Sequence, residues 1–246
     1  GNMPRNLSGM AYGFNESHIM LIGGYDVTEP WTEEIFVYEP INDIWTKLKY
    51  PEYKSPQFFS IAASGVTQIL KEDNESWNIF IMGPIAQKST DTNGWVYDPI
   101  TNIWDTTSFS YFPDNAQWPC AVSDPETNII YIIGGIINAE NSNHGEIVLG
   151  DILAYNYTNS GSGWIQLNYT RMNTPRFDGS CIYVNNSIYY FGGQDQDVNI
   201  LNTIEKYSIN ENKWYTLNAT LKYGRTGNRN VLINNDTGIL IIGGTG

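Results

Sequence analysis

Short apolar runs that end in paired glycines recur along this chain, and no other feature limits its fold as tightly. They are Ile19-Met20-Leu21-Ile22-Gly23-Gly24, Ile130-Tyr131-Ile132-Ile133-Gly134-Gly135, Ile188-Tyr189-Tyr190-Phe191-Gly192-Gly193 and Ile239-Leu240-Ile241-Ile242-Gly243-Gly244. A fifth copy, Ile79-Phe80-Ile81-Met82-Gly83-Pro84, has lost its second glycine. The first glycines stand at 23, 83, 134, 192 and 243, in steps of 60, 51, 58 and 51. Apolar runs this short between turn-forming residues are strands rather than helices. Self-similarity at a fixed period marks a repeat architecture, in which one unit cannot bury its apolar face alone and neighbours must cover it.

Each diglycine is followed by a tyrosine that ends one strand and a tryptophan that begins the next: Tyr38 and Trp45, Tyr97 and Trp104, Tyr155 and Trp164, Tyr207 and Trp214. The spacing is seven residues in three copies and nine in the third, where Thr158 to Gly163 lengthens the turn. The residues between, such as Glu39-Pro40-Ile41-Asn42-Asp43 and Asp98-Pro99-Ile100-Thr101-Asn102, are turn formers and predict hairpin loops. Upstream of the diglycine stands Pro4-Arg5, Pro175-Arg176 or Gly224-Arg225, with Pro56-Gln57 and Gln117-Trp118 in the second and third copies. Each unit therefore reads as four strands: a after the Arg or Gln, b ending at the glycines, c ending at Tyr, and d starting at Trp.

The diglycine, the spaced Tyr and Trp and the upstream Arg together resemble the Kelch motif, over nearly the whole chain. The resemblance implies an all-β fold, a Kelch-type β-propeller within a single domain over residues 1–246. The repeats fall at about 4–50, 51–110, 111–170, 171–220 and 221–246, giving four complete blades and half of a fifth. Kelch rings resemble six- or seven-bladed ones most often, so the expectation is a ring completed by further residues of the same chain. A second molecule or a compact five-bladed ring are the alternatives. In such a blade the glycines suit a crowded strand end, where a Cβ would clash and positive φ is wanted. Tyr and Trp are expected to fill the space between neighbouring blades. Gly83-Pro84 should leave its ladder early, because proline lacks the backbone donor.

Composition excludes several partners. The formal net charge is −13, which repels phosphate backbones and anionic membrane surfaces and argues against nucleic acid. No run of 18 apolar residues is present, so this segment does not insert into a membrane. The two cysteines, Cys120 and Cys181, allow one bridge or two buried thiols, and the thiols are the favoured reading.

A propeller by itself predicts no activity. In Kelch-like rings the b–c and d–a loops share one face, and that face often binds partners. Here the b–c loops run over about 25–34, 85–94, 136–150 and 194–202, and the d–a loops carry Tyr53, Tyr111, Phe112 and Trp118. Exposed together, such rings would make a contact surface for a protein or carbohydrate ligand; packed under their own loops they would not. Arg5, Arg176 and Arg225 would either hold a carboxylate at the channel mouth or brace the neighbouring blade through backbone carbonyls. Asp195 and Asp197 read as solvated loop charge rather than a calcium site. His18 and His144 are the only histidines. A copper-radical site of the galactose-oxidase kind needs two His, two Tyr and a Cys crosslinked to one Tyr, and these two stand on unlike elements. No motif for a nucleophile, phosphate loop or zinc appears. The expectation is a non-enzymatic binding scaffold with no cofactor and no metal.

Sequons occur at Asn6, Asn15, Asn74, Asn156, Asn168, Asn185, Asn218 and Asn235. Chance placement among 28 Asn and 35 Ser or Thr in 246 positions would give about four. Asn15, Asn74, Asn185 and Asn235 fall at expected a–b turns, where a glycan is solvated. This favours an extracellular or secretory setting, with a cytoplasmic adaptor as the alternative.

Overall fold

The structure, a computed structural model, describes residues 2–14, 17–24, 34–48, 65–70, 77–82, 95–105, 116–138, 145–159, 163–167, 170–233 and 237–246. These residues form antiparallel sheets and contain no helix. They belong to two compact units, Gly1–Asn115 and Ala116–Gly246.

The first unit holds two four-stranded sheets. One is β1 (Ala11–Phe14), β2 (Ile19–Ile22), β3 (Ile35–Glu39) and β4 (Ile44–Leu48), in that spatial order. The other is β5 (Gly65–Leu70), β6 (Trp77–Met82), β7 (Trp95–Asp98) and β8 (Ile103–Asp105). Ala11, Met20, Ile22 and Ile35 of the first sheet share one buried cluster with Ile79, Ile81, Trp95, Tyr97 and Trp104 of the second. Neither sheet could hide these side chains alone. Each such burial contributes roughly 1.5–3 kcal/mol, which is why the repeats come packed face to face.

The second unit repeats the plan. Its first sheet comprises β9 (Cys120–Asp124), β10 (Ile129–Ile133), β13 (Ile152–Asn156) and β14 (Ile165–Gln166). The next is β15 (Ser180–Val184), β16 (Ser187–Phe191), β17 (Thr203–Ser208) and β18 (Lys213–Thr220). Val122, Tyr131, Ile133, Ile152 and Ala154 meet Cys181, Ile188, Tyr190, Tyr207 and Trp214 in the shared core. A last hairpin pairs β19 (Thr226–Ile233) with β20 (Gly238–Thr245). The long b–c connection of the third repeat is partly ordered into a hairpin of its own, β11 (Ile136–Asn138) with β12 (Glu146–Val148).

The expected strand limits shift by one residue. Strands β3, β7, β13 and β17 each run one position past their tyrosine, and Trp45, Trp104 and Trp214 are the second residues of their strands. Gly83 and Pro84 lie outside the described residues.

The glycines earn their place through a contact that the repeat period alone does not reveal. Gly192 has φ of 64°, and a methyl built on it would run into the carbonyl oxygen of Arg225 in the following repeat. Gly193, with φ of 90°, would place a methyl 2.6 Å from the carbonyl oxygen of Phe177 in its own repeat. Its N–H donates to Arg225 O at 2.7 Å. Gly134 stands in the same way against the Arg176 carbonyl. In the pairs at 134 and 192, therefore, the first glycine admits the next repeat and the second admits the segment leading into its own a strand.

The two cysteines are not thiols, as the favoured reading had it: Cys120 and Cys181 form a disulfide, with Cα atoms 6.0 Å apart. The strands that carry them explain this. β9 and β15 are the first strands of successive sheets and lie against each other. Cys120 opens β9 and Cys181 is the second residue of β15, so two residues 61 apart in sequence meet across the repeat boundary.

Candidate binding surface at the loop end of the second unit

In a meander of four strands the a–b and c–d turns lie at one end of the sheet, and the b–c and d–a connections at the other. The Tyr and Trp of the repeat belong to the first end. Tyr38, Tyr97 and Tyr207 stand directly opposite Trp45, Trp104 and Trp214, with ring centroids 4.8, 4.8 and 5.3 Å apart. Each of these hydroxyls donates into its own turn: Tyr38 to Asp43 at 2.9 Å, Tyr97 to Asn102 at 2.8 Å and Tyr207 to Asn212 at 2.6 Å. Those three acceptors all have positive φ, 56°, 55° and 51°, a conformation that Asn and Asp tolerate. Burial, with a contribution from Asp98, pushes the Tyr97 hydroxyl up to about 12, so it remains a donor at any ordinary pH. The pair is thus a turn lock within its own sheet, and at Tyr97–Trp104 and Tyr207–Trp214 it also joins the core shared with the neighbouring sheet. Replacing Tyr207 by Phe is expected to cost about 1 kcal/mol in denaturant titrations with little change in the far-ultraviolet spectrum. An unchanged midpoint would show that the hydroxyl contributes nothing.

The three arginines behave differently from one another. Arg176 is buried with 0% of its side chain exposed. It donates to Glu205 at 2.6 Å and to the carbonyls of Thr174, Gly192 and Thr203 at 3.0, 3.1 and 3.3 Å. Every direction in which it could grip a ligand is occupied by its own repeat. Arg5 pairs with Glu34 at 3.1 Å, and Glu34 also takes Lys47. Arg225 donates to Gly243 O at 2.6 Å.

The loop end is built around one backbone position per repeat. Gly9, Trp118, Asp178 and Gly227 occupy it, all with left-handed φ: 65°, 49°, 54° and 68°. In the second unit these positions are bonded in series: Asp178 N donates to Trp118 O at 3.0 Å, and Gly227 N donates to Asp178 O at 2.7 Å. A bulky residue at positive φ is costly, and Trp118 is the most exposed tryptophan among the described residues, at 40%. Its ring lies 6.1 Å from that of Phe177, the residue before Asp178. Asp178 accepts from the Thr226 hydroxyl at 2.7 Å, and Thr226 in turn receives Gln194 at 3.0 Å. Burial raises the Asp178 carboxyl above the usual carboxylate range, opposed by the Thr226 hydroxyl and the Arg229 charge.

The b–c loop of the fourth repeat completes this end. Phe177 and Gln194 exchange backbone bonds of 3.0 and 2.9 Å. Beyond them Asp195 turns its carboxylate inward on its own loop, accepting from Asp197 N and Asn199 N at 3.0 and 2.9 Å. That turn holds Val198 at φ of 63° and 66% exposed. Gln196 reaches to β12, accepting from Val148 N at 2.8 Å and donating to Glu146 O at 3.2 Å, which ties the loop to the inserted hairpin. Trp118, Phe177, Ile147, Val198 and Ile200 thereby share one end of the unit.

Of the other residues singled out from sequence, Tyr53, Tyr111, Phe112 and His144 lie outside the described residues. So do Asn15, Asn74, Asn168 and Asn235. Asn6, Asn185 and Asn218 are exposed, and Asn156 is half-buried with its side-chain oxygen accepting from Thr158 and Asn159. His18 precedes β2 and bonds with Ser17 at 2.8 Å. Among the described residues no three His, Cys, Asp or Glu side chains gather as a metal cluster. Because Cys120 and Cys181 are bonded to each other, neither is available for the tyrosine crosslink of a copper-radical site. Sequence reasoning missed Phe177, Asp178 and Glu205. A signal for Asp178 existed: aligning Gly9, Trp118 and Gly227 by repeat exposes one column that wants glycine and twice has none.

Residues 175–219, the fourth repeat, match the family model of the Kelch motif. No curated protein matches the chain.

Proposed function

We propose that this chain, a Kelch-repeat protein whose four-stranded sheets are propeller blades, is an extracellular or secretory-pathway scaffold that binds a protein or carbohydrate partner through the loop end of its sheets. The exposed Trp118, set against the half-buried Phe177, carries the binding reading, because an aromatic side chain held out at a strained backbone position is what contact surfaces select. The Cys120–Cys181 bond supports the compartment, since such bonds persist in oxidising surroundings and are rare in the cytosol. The exposed sequons at Asn6, Asn185 and Asn218 support it as well. No catalytic role is assigned.

Two measurements on the native chain test this. Release of N-glycans should lower its mass, whereas a chain of unchanged mass overturns the secretory reading and favours an intracellular adaptor. Photo-crosslinking groups at Ile147 and Tyr223, both exposed toward the loop end, should capture partner on the cell that makes the protein. The same groups at Ile41 and Ile100, exposed on c–d turns, should capture less. The reverse order would move the binding surface to the opposite end.

A further inference from the structure

The loop-end reading leaves the chemistry of the partner open, and the charges around Trp118 narrow it. Asp178 follows Phe177 of the aromatic ledge directly, and Glu146 and Asp197 stand on the hairpin and the loop that Gln196 ties together at the same end of the unit. Cations stand at this end as well, and among the described residues each has a contact within the unit. Lys222 lies 5.2 Å over the Tyr223 ring, Arg225 donates to Gly243 O, and Arg229 donates to Asn228 O at 2.9 Å while facing Asp178. The whole chain carries −13, so its long-range field favours a cationic partner over an anionic one. An exposed indole face in such a field attracts a guanidinium or ammonium, which gains from the ring and from the carboxylates together. Ile147, Val198 and Ile200 are exposed at the same end and suit the apolar neighbours of a cation in a polypeptide.

We propose that Trp118 and Phe177 form a docking ledge for an arginine- or lysine-bearing segment of a protein partner, with Glu146 and Asp197 supplying the complementary charge. The proposal rests on the loop-end reading above and adds the class of partner to it. Trp118→Gly is the variant of choice, because Gly9 and Gly227 already hold the same backbone position in sister repeats, so the fold is retained.

The test is selection of a displayed random dodecapeptide library on the intact chain, with the winners titrated against wild type and Trp118→Gly by calorimetry. The expected result is enrichment of Arg or Lys, binding that weakens as salt is raised, and about a tenfold loss of affinity in Trp118→Gly. Substituting citrulline for the enriched arginine should give a comparable loss. Acidic or purely apolar winners that still need Trp118 would overturn the charge assignment and keep the loop-end reading. Winners indifferent to Trp118→Gly would overturn the ledge itself. Trp118-dependent binding on a glycan array, or Trp118-dependent self-association in sedimentation, would replace the cationic segment with a carbohydrate or a second copy.

Discussion

Gly192→Ala is expected to destabilise the second unit by about 3–5 kcal/mol, while Gly243→Ala, at the same place in its own repeat, costs about 1–2 kcal/mol. Both glycines have left-handed backbones, φ of 64° and 69°, so each substitution carries the conformational penalty of an L-residue there. They differ in what a methyl meets. At Gly192 it runs into the Arg225 carbonyl of the next repeat, a backbone atom that cannot swing aside. At Gly243 nothing described stands within 4 Å. Moving the Arg225 carbonyl also disturbs the bond it accepts from Gly193 N at 2.7 Å, so the clash spreads into the second glycine's contact. Urea titration of the oxidised chain followed by tryptophan fluorescence measures both. Equal losses at the two positions would mean that φ alone accounts for the glycine and that the inter-repeat contact is unimportant.

That comparison shows which part of the fold could be read from residues in order. The four strands of each sheet, their order and the Tyr–Trp pairing follow from local patterns: alternation, turn formers at fixed offsets, and a period that repeats; the β11–β12 hairpin, inside a segment read as a loop, does not. Each is a relation between residues a few positions apart. The disulfide is not of that kind. Cys120 and Cys181 stand one register step apart in their repeats, and their meeting depends on how closely β9 and β15 approach. Arg176 is a similar case. Its place in the motif was visible, but whether it faces a channel or a carboxylate depends on Glu205, 29 residues away on a strand with no charge pattern of its own. The binding surface was legible only in part. Trp118 stood out as a loop aromatic, whereas Phe177 and Asp178 became part of the same feature only through a left-handed column running across repeats. A single repeat shows such a position as an ordinary residue, and the strain appears only when Gly9 and Gly227 are set beside it.

Removing the carboxylate of Glu205 is the second change with a large expected effect, and it links the core to the surface. In Glu205→Ala the guanidinium of Arg176 keeps its burial but loses its counter-charge, and Asn173 N and Thr174 N lose the acceptor they reach at 2.8 and 2.9 Å. An unpaired charge and two orphaned donors in a site with 0% exposure on both partners should cost about 3–5 kcal/mol. Glu205→Gln retains one oxygen for these donors and is expected to fall between wild type and Ala. The double variant Arg176→Met with Glu205→Met should be less destabilised than the sum of its single changes, by about 1–3 kcal/mol, because the buried charge disappears with its partner. Strict additivity in that cycle would show that the two residues contribute independently and that the pair is incidental. The segment that Glu205 pins, Asn173 to Arg176, leads directly into Phe177 and Asp178. Loosening it should therefore let the Trp118–Phe177 ledge move before the sheets unfold. In Glu205→Gln at temperatures well below its midpoint, amide exchange is expected to rise at Phe177, Asp178 and Gly227 while Ile188 and Tyr190 in β16 stay protected. A uniform rise across β16 and the ledge would instead mark global destabilisation, with no separate mechanical path from the buried pair to the loop end.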